Sequence, residues 1–337
     1  MPLEDRVLVV YPWKGNAFAG GPEGFVTQLL RPFQHPRFGV TPAIAPPTLN
    51  GWIKQQLQHP CLPSASGWSK LLKRPGLLRS ASVFRDSGMA AAKYLWFVEH
   101  NHFALFEPYI RDDQVVIYQP HSPVLPWEEM STDTPEDVKI RDATEALTRR
   151  LMQRTSILIL PNAGAQSIYA SLVQPHHDVC YLQSGAALPL NLSAIPLDPQ
   201  MSYFLYIGRR CHVKGFDIVR AAFAKARTSR PDLRLILCGD GEAVRDDGVI
   251  DVGFTTRIHD WIASADCVIN ANRQSYLDLS VMETLAIGTP IVMTATHGHS
   301  MFRNFNTTGI RCLNGTDPEE LAGVLAGMSS SELRKAE

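Results

Sequence analysis

The chain has 337 residues, 45% of them hydrophobic and 19% charged, with a formal net charge of −1. That length suits about two domains able to bury a sizeable core, and the balanced charge gives no bulk attraction to nucleic acid. No apolar run approaches the ~20 residues of a membrane span, and Met1–Arg6 is too polar to begin a secretion signal, so a cytoplasmic location is expected.

Six cysteines (Cys61, Cys180, Cys211, Cys238, Cys267, Cys312) are scattered without a Cys-x-x-Cys pair and read as reduced core residues. The eleven histidines form no His-Glu-x-x-His pattern. Metal chemistry has no support in these spacings.

Arg6–Tyr11 reads as the first buried strand, followed by a loop that ends in Gly20-Gly21 and opens the apolar-periodic helix Phe25–Leu30. From Gly24 to Arg85 there is no acid, while Arg31, Arg37, Lys54, Lys70, Lys73, Arg74, Arg79 and Arg85 supply cations. Around Pro75-Gly76 the stretch Trp68–Arg79 mixes Trp and Leu with base, as elements at anionic membrane surfaces do; a solvated basic loop is the alternative. Peripheral contact through Lys70, Lys73, Arg74 and Arg79 is therefore one expectation, at the inner face of the membrane.

Tyr94–Glu99 and Val115–Gln119 read as further strands, each ending in a histidine-bearing loop, His100-Asn101-His102 and Pro120-His121-Ser122-Pro123. Pro135–Arg154 has helical spacing, Ile157–Leu160 reads as a strand, Ala165–Leu172 as a helix and Val179–Leu182 as a strand. Leu190–Gln200, with two prolines and almost no charge, suits an interdomain linker. The chain thus divides into residues 1–198 and 199–337.

In the second half, three short apolar runs (Tyr203–Ile207, Leu233–Cys238, Cys267–Asn270) each lead into a loop of distinctive composition, and strand-end loops are where α/β sheets bind ligands. The first loop is Gly208-Arg209-Arg210-Cys211-His212-Val213-Lys214-Gly215, ahead of a helix Phe216–Arg227. Cations at a helix start suit an anionic group, although a solvated basic turn would look the same. The second is Gly239-Asp240-Gly241, an ordinary turn in isolation. The third runs from Ser275 to Pro290, where Ser280 and Glu283 fit a Ser-x-x-Glu capping box. Val249–Val252, Ile291–Thr294 and Gly309–Leu313 continue as strands. Asp317–Met328 is a helix with acids in its first turn, and the residues after it could pack back on the first domain or fray.

Together the three loops resemble the family 4 glycosyltransferases, which have the GT-B fold: α/β, two Rossmann-like domains with parallel sheets facing a cleft. The resemblance implies that Arg209 and Lys214, matching the family's Gly-Arg-x-x-x-x-Lys-Gly segment, hold the donor diphosphate. It implies too that Glu283 meets the ribose hydroxyls. The family's first signature Glu is replaced here by Ser275 and its Phe-Gly pair by Leu277-Asp278, so Asp278 is the candidate to reach the donor sugar in place of the missing Glu, or else only charges the helix start.

By the same resemblance, Gly20-Gly21 faces the donor and His121 touches donor sugar or acceptor, with His100 as runner-up. Phe254 and Thr255 lie where the base is read, and Gly208, Gly239, Leu279 and Ser280 complete the donor loops. The implied activity is metal-independent and cofactor-free: a hexose-like sugar moves from a UDP- or GDP-linked donor to a hydroxyl of a carbohydrate or glycolipid acceptor, with the anomer retained, and cell-surface polysaccharide or glycolipid assembly is one setting that the resemblance implies. Two other classes fit the same residues, a non-catalytic sugar-nucleotide-binding subunit and a sugar-nucleotide epimerase of the same fold.

Overall fold

The computed structural model describes residues 7–11, 24–26, 41–43, 84–186, 191–305 and 307–328. Gly20, Gly21, Lys70, Lys73, Arg74 and Arg79 lie outside the described residues, as does the chain after Met328. Two compact units divide the chain: Met1–Leu160 with Ile168–Leu182, and Pro161–Ser167 with Gln183–Glu337.

The first unit is built on a parallel sheet of β1 (Val7–Val10), β2 (Thr41–Ala43), β3 (Tyr94–Phe97), β4 (Val115–Tyr118), β5 (Thr155–Leu160) and β6 (Asp178–Tyr181), in the order β2-β1-β3-β4-β5-β6. Val9, Phe25, Val26, Trp96, Val98, Ile117 and Ile159 form one of its apolar clusters. Helix α1 (His100–Phe106) follows β3, and α2 (Pro135–Arg154) precedes β5. Thr134 caps α2 by a reciprocal box with Asp137, and Pro135 sits at its first position, where a missing N–H costs nothing.

The Ala165–Leu172 helix expected from the sequence is instead the short α3 (Ala163–Gln166) followed by a 3₁₀ turn, Ser167–Tyr169. Asn162 caps α3 by accepting from the Ala165 N–H, and its own amide donates to the Gly298 carbonyl at 2.8 Å. Asn162, α3 and Gly298 all belong to the second unit, so this long-range bond lies within it.

The second unit has strands β7 (Ser202–Ile207), β8 (Leu233–Cys238), β9 (Val249–Gly253), β10 (Cys267–Asn270), β11 (Ile291–Thr294) and β12 (Ile310–Leu313), all parallel, in the order β12-β11-β10-β7-β8-β9. This is the doubly wound order, with β7 and β10 side by side at the point where the winding reverses. Strands buried on both faces must be apolar throughout, and Phe204, Leu205, Leu235, Ile236, Leu237 and Cys267 are each 0% exposed. Helix α4 (Phe216–Arg227) packs Ile218, Val219, Ala222, Phe223 and Ala226 onto one face, together with α7 (Pro318–Gly327). On the other face, α5 (Ile258–Ser264) and α6 (Leu279–Ile287) contribute Ile262 and Val281.

The second unit takes in chain earlier than the residue 199 suggested by composition. Residues 191–200 carry no regular structure, yet the Ser193 N–H donates to Asp260 (2.8 Å), the Ile195 N–H donates to Ser264 Oγ (2.9 Å), and Leu197 packs against the core. This proline-bearing segment is held along the second unit. Of the described cysteines, Cys238 and Cys267 are buried, Cys211 and Cys312 intermediate and Cys180 exposed, all of them unbridged, so the expectation of core thiols holds for the strand residues Cys238 and Cys267 and fails for Cys180.

Candidate functional site

The loops after β7 and β10 lie next to each other because their strands do, which brings residues 208–215 beside 271–278. Glycines make the approach possible. Gly215 has φ of +62°, and a Cβ there would run into the Ala271 carbonyl; Gly239 has φ of +135° and backs onto the Gly208 carbonyl in the same way. Arg273 fastens the two loops: its N–H donates to the Val213 carbonyl (2.9 Å), and its guanidinium grips both oxygens of Asp217 at 2.7 Å and the His212 carbonyl at 2.8 Å. Such a bidentate pair fixes geometry as well as charge.

The two arginines of the first loop have different fates. Arg209 is exposed, and its carbonyl accepts from Tyr206 Oη at 2.7 Å. Arg210 turns inward with its side chain 4% exposed, making a bidentate pair with Asp251 of β9 and donating to the Glu242 carbonyl. Hydrogen bonding from Arg210, against the opposing effect of burial, holds the Asp251 carboxyl below its ordinary range. Arg210 is a structural cation, and Arg209 is the one presented to solvent.

Lys214 reaches across the switch point to Asp278, Nζ to Oδ2 at 2.7 Å, with the two side chains 17% and 14% exposed. The same Oδ2 accepts from Asn272 Nδ2 (2.7 Å) and Asn270 Nδ2 (3.3 Å), and the Asp278 N–H donates to His299 Nε2 (3.2 Å). Burial acts to raise the Asp278 carboxyl, but the Lys214 ammonium, with His299 and the Asn272 amide, holds it well below the usual carboxylate range. His299 is 0% exposed, and burial pushes it down to about 4, so at neutral pH it is an uncharged acceptor toward Asp278. Asn270, Asn272, Arg273 and His299 were not singled out in the sequence; the one local signal was their place at the ends of β10 and β11.

Asp278, not Ser280, is the N-cap of α6, so the capping box expected from Ser280 and Glu283 does not form. Leu279 and Ser280 are the first two helical residues, half-buried, and the Ser280 carbonyl accepts from Thr284 Oγ1. Glu283 instead pairs with His259 of α5 at 3.2 Å. Ser275 is 0% exposed with its Oγ 3.0 Å from Thr296 Oγ1, so its side chain has no surface to offer a ligand. Phe254 stands 62% exposed just after β9, and Thr255 Oγ1 accepts from the Arg257 N–H.

In the first unit, His121 follows β4 with its ring 4.7 Å from Phe25, and burial lowers its pKa to about 3. Burial likewise lowers His100 to about 4 and His102 to about 3, the latter helped by His100. All three are neutral imidazoles near pH 7, able to donate and accept hydrogen bonds. Among the described residues no group of three or more His, Cys, Asp or Glu side chains could hold a metal ion, and no helix is long and apolar enough to cross a membrane.

Residues 202–330 match the family model described as Glycosyl transferases group 1. No curated protein matches the sequence. Among solved structures, a sucrose-phosphate synthase from Thermosynechococcus elongatus superposes with a TM-score of 0.69 at 15% identity, over 98% of this chain and 92% of that one. Anabaena Alr3699/HepE in complex with UDP and glucose gives 0.67 at 16% identity, over 97% and 91%. An α,α-trehalose 6-phosphate synthase from Burkholderia multivorans gives 0.56 at 10% identity, over 98% and 92%. The two units are the two Rossmann-like α/β domains of a GT-B fold.

Proposed function

From the premise that residues 202–330 form a group 1 glycosyltransferase domain in a chain of GT-B fold, we propose that this protein transfers a hexose-like sugar from a UDP- or GDP-linked donor to an acceptor hydroxyl. The observation that carries the reading is the loop between β7 and α4, which sets Arg209 and Lys214 at the switch point of the C-terminal sheet. Two cations on one strand-end loop that leads into a helix suit a diphosphate. One of the solved structures of similar fold carries UDP and glucose.

In this reading Arg209 and Lys214 take the charge that grows on the diphosphate as the glycosidic bond breaks, so no metal is required. Glu283 accepts from the ribose hydroxyls, and Phe254 and Thr255 flank the base. His121, held neutral, hydrogen-bonds a sugar or acceptor hydroxyl. Gly20 and Gly21 give the backbone close access to the ligand. Because Asp278 is committed to Lys214 and Asn272, it serves the cation in preference to the sugar.

A thermal-shift panel of nucleotide sugars tests the reading, since a ligand at 100 times its dissociation constant adds about 2.7 kcal/mol. Stabilisation by UDP- or GDP-sugars and release of nucleoside diphosphate are expected; binding without turnover would leave a sugar-nucleotide-binding subunit, and donor interconversion without acceptor an epimerase. If the acceptor is a glycolipid, Lys70, Lys73, Arg74 and Arg79 would hold the enzyme to anionic lipid at about 1 kcal/mol each. Vesicle binding should then fall steeply with salt; equal binding to neutral and anionic vesicles would exclude it.

A further inference from the structure

The Lys214–Asp278 pair is not an ordinary surface ion pair. Both side chains are mostly shielded from water, so their attraction is weakly screened. Asp278 is also immobilised: Asn270 and Asn272 donate to its carboxylate, and its own N–H is held by His299. It therefore cannot swing away when an anion approaches Lys214. The ammonium has three N–H donors and gives one to Asp278, which leaves others for a ligand, but every anion bound there must share Lys214 with a fixed negative charge.

Resting on the diphosphate reading of this site, we propose that Asp278 is a built-in counter-ion that attenuates Lys214, weakening the hold on the free nucleoside diphosphate and so easing its departure after transfer. The free diphosphate carries more negative charge than the sugar-linked one. A fixed carboxylate therefore penalises product more than donor. Asp278 acts here through Lys214 as a positioning and affinity-setting residue.

The test is Asp278→Asn, which keeps the volume and an oxygen for the Lys214 N–H while removing the charge. Calorimetric titration with UDP and GDP should show the diphosphate that binds wild-type protein binding roughly tenfold tighter, with uridine or guanosine unchanged. Product inhibition should strengthen in step. Asp278→Ala should tighten the diphosphate too. In a Lys214→Gln background, Asp278→Asn should change the affinity less than about twofold, which is the coupling a double-mutant cycle reads. Unchanged or weaker diphosphate binding in both Asp278 variants would overturn the proposal, as would full tightening without Lys214, which would mean direct repulsion of the ligand. Should Lys214→Ala weaken the diphosphate while neither Asp278 variant tightens it, the attenuation alone fails; should Lys214→Ala have no effect, the diphosphate reading fails with it.

Discussion

Lys214→Ala and Arg209→Ala are expected to weaken nucleoside diphosphate and nucleotide sugar together while leaving the nucleoside almost unaffected. Each charge-assisted contact is worth about 1.5–3 kcal/mol, or roughly 10- to 150-fold in affinity. Lys214→Ala should sit at the upper end, because the Lys214 side chain is mostly shielded from water while Arg209 is exposed, so its contact is less screened. Turnover should fall further than donor affinity in both, since the diphosphate gains charge as it leaves. Glu283→Gln should differ, weakening nucleoside and nucleotide alike. Titrations of the three variants with nucleoside and nucleoside diphosphate separate these patterns; a loss that is the same for nucleoside and diphosphate in Lys214→Ala would contradict the assignment.

The neighbouring arginine should behave in the opposite way. Arg210→Ala strands Asp251 with its bidentate partner gone and the Glu242 carbonyl unbonded, inside a region where the Arg210 side chain is 4% exposed. Breaking a buried pair by removing one partner costs about 3–5 kcal/mol. Denaturant unfolding should therefore show a large drop in midpoint for Arg210→Ala and little change for the exposed Arg209→Ala. Similar midpoints for the two variants would mean that Arg210 is not the cation fastening β9 to the first loop.

The strands were legible because a doubly wound parallel sheet buries both faces of each strand. Runs such as Leu233–Cys238 and Cys267–Asn270 therefore stand out as mostly apolar stretches, and both occur as expected. Arg209 and Lys214 stand out only through their match to the family's Gly-Arg-x-x-x-x-Lys-Gly segment, because cations in a strand-end loop look the same in a solvated turn. What could not be read was pairing across the fold. Lys214 and Asp278 are 64 residues apart, and only the adjacency of β7 and β10 joins them.

Local rules also competed with tertiary ones. Ser280-x-x-Glu283 satisfies the capping pattern, yet α6 starts one residue after Asp278, and Glu283 turns to His259. The cap position is filled by a residue whose carboxylate is spent on Lys214, so no side-chain cap forms. The prolines of 190–200 suit an interdomain linker by composition, which reports backbone stiffness and not the hydrogen bonds to Asp260 and Ser264 that hold residues 193 and 195. Ser275 fills the position of a family acid with a hydroxyl bonded to Thr296, a contact that depends on the turn after β11.

The loop after β7, with Arg209 and Lys214, is expected to bind a diphosphate. The most direct measurement is a calorimetric comparison of the wild-type protein with uridine and UDP, and with guanosine and GDP, at fixed ionic strength. For one base the diphosphate should bind at least about a hundredfold tighter than its nucleoside, the sum of two charge-assisted contacts. Equal affinity for nucleoside and diphosphate with both bases, or binding of neither, would contradict it.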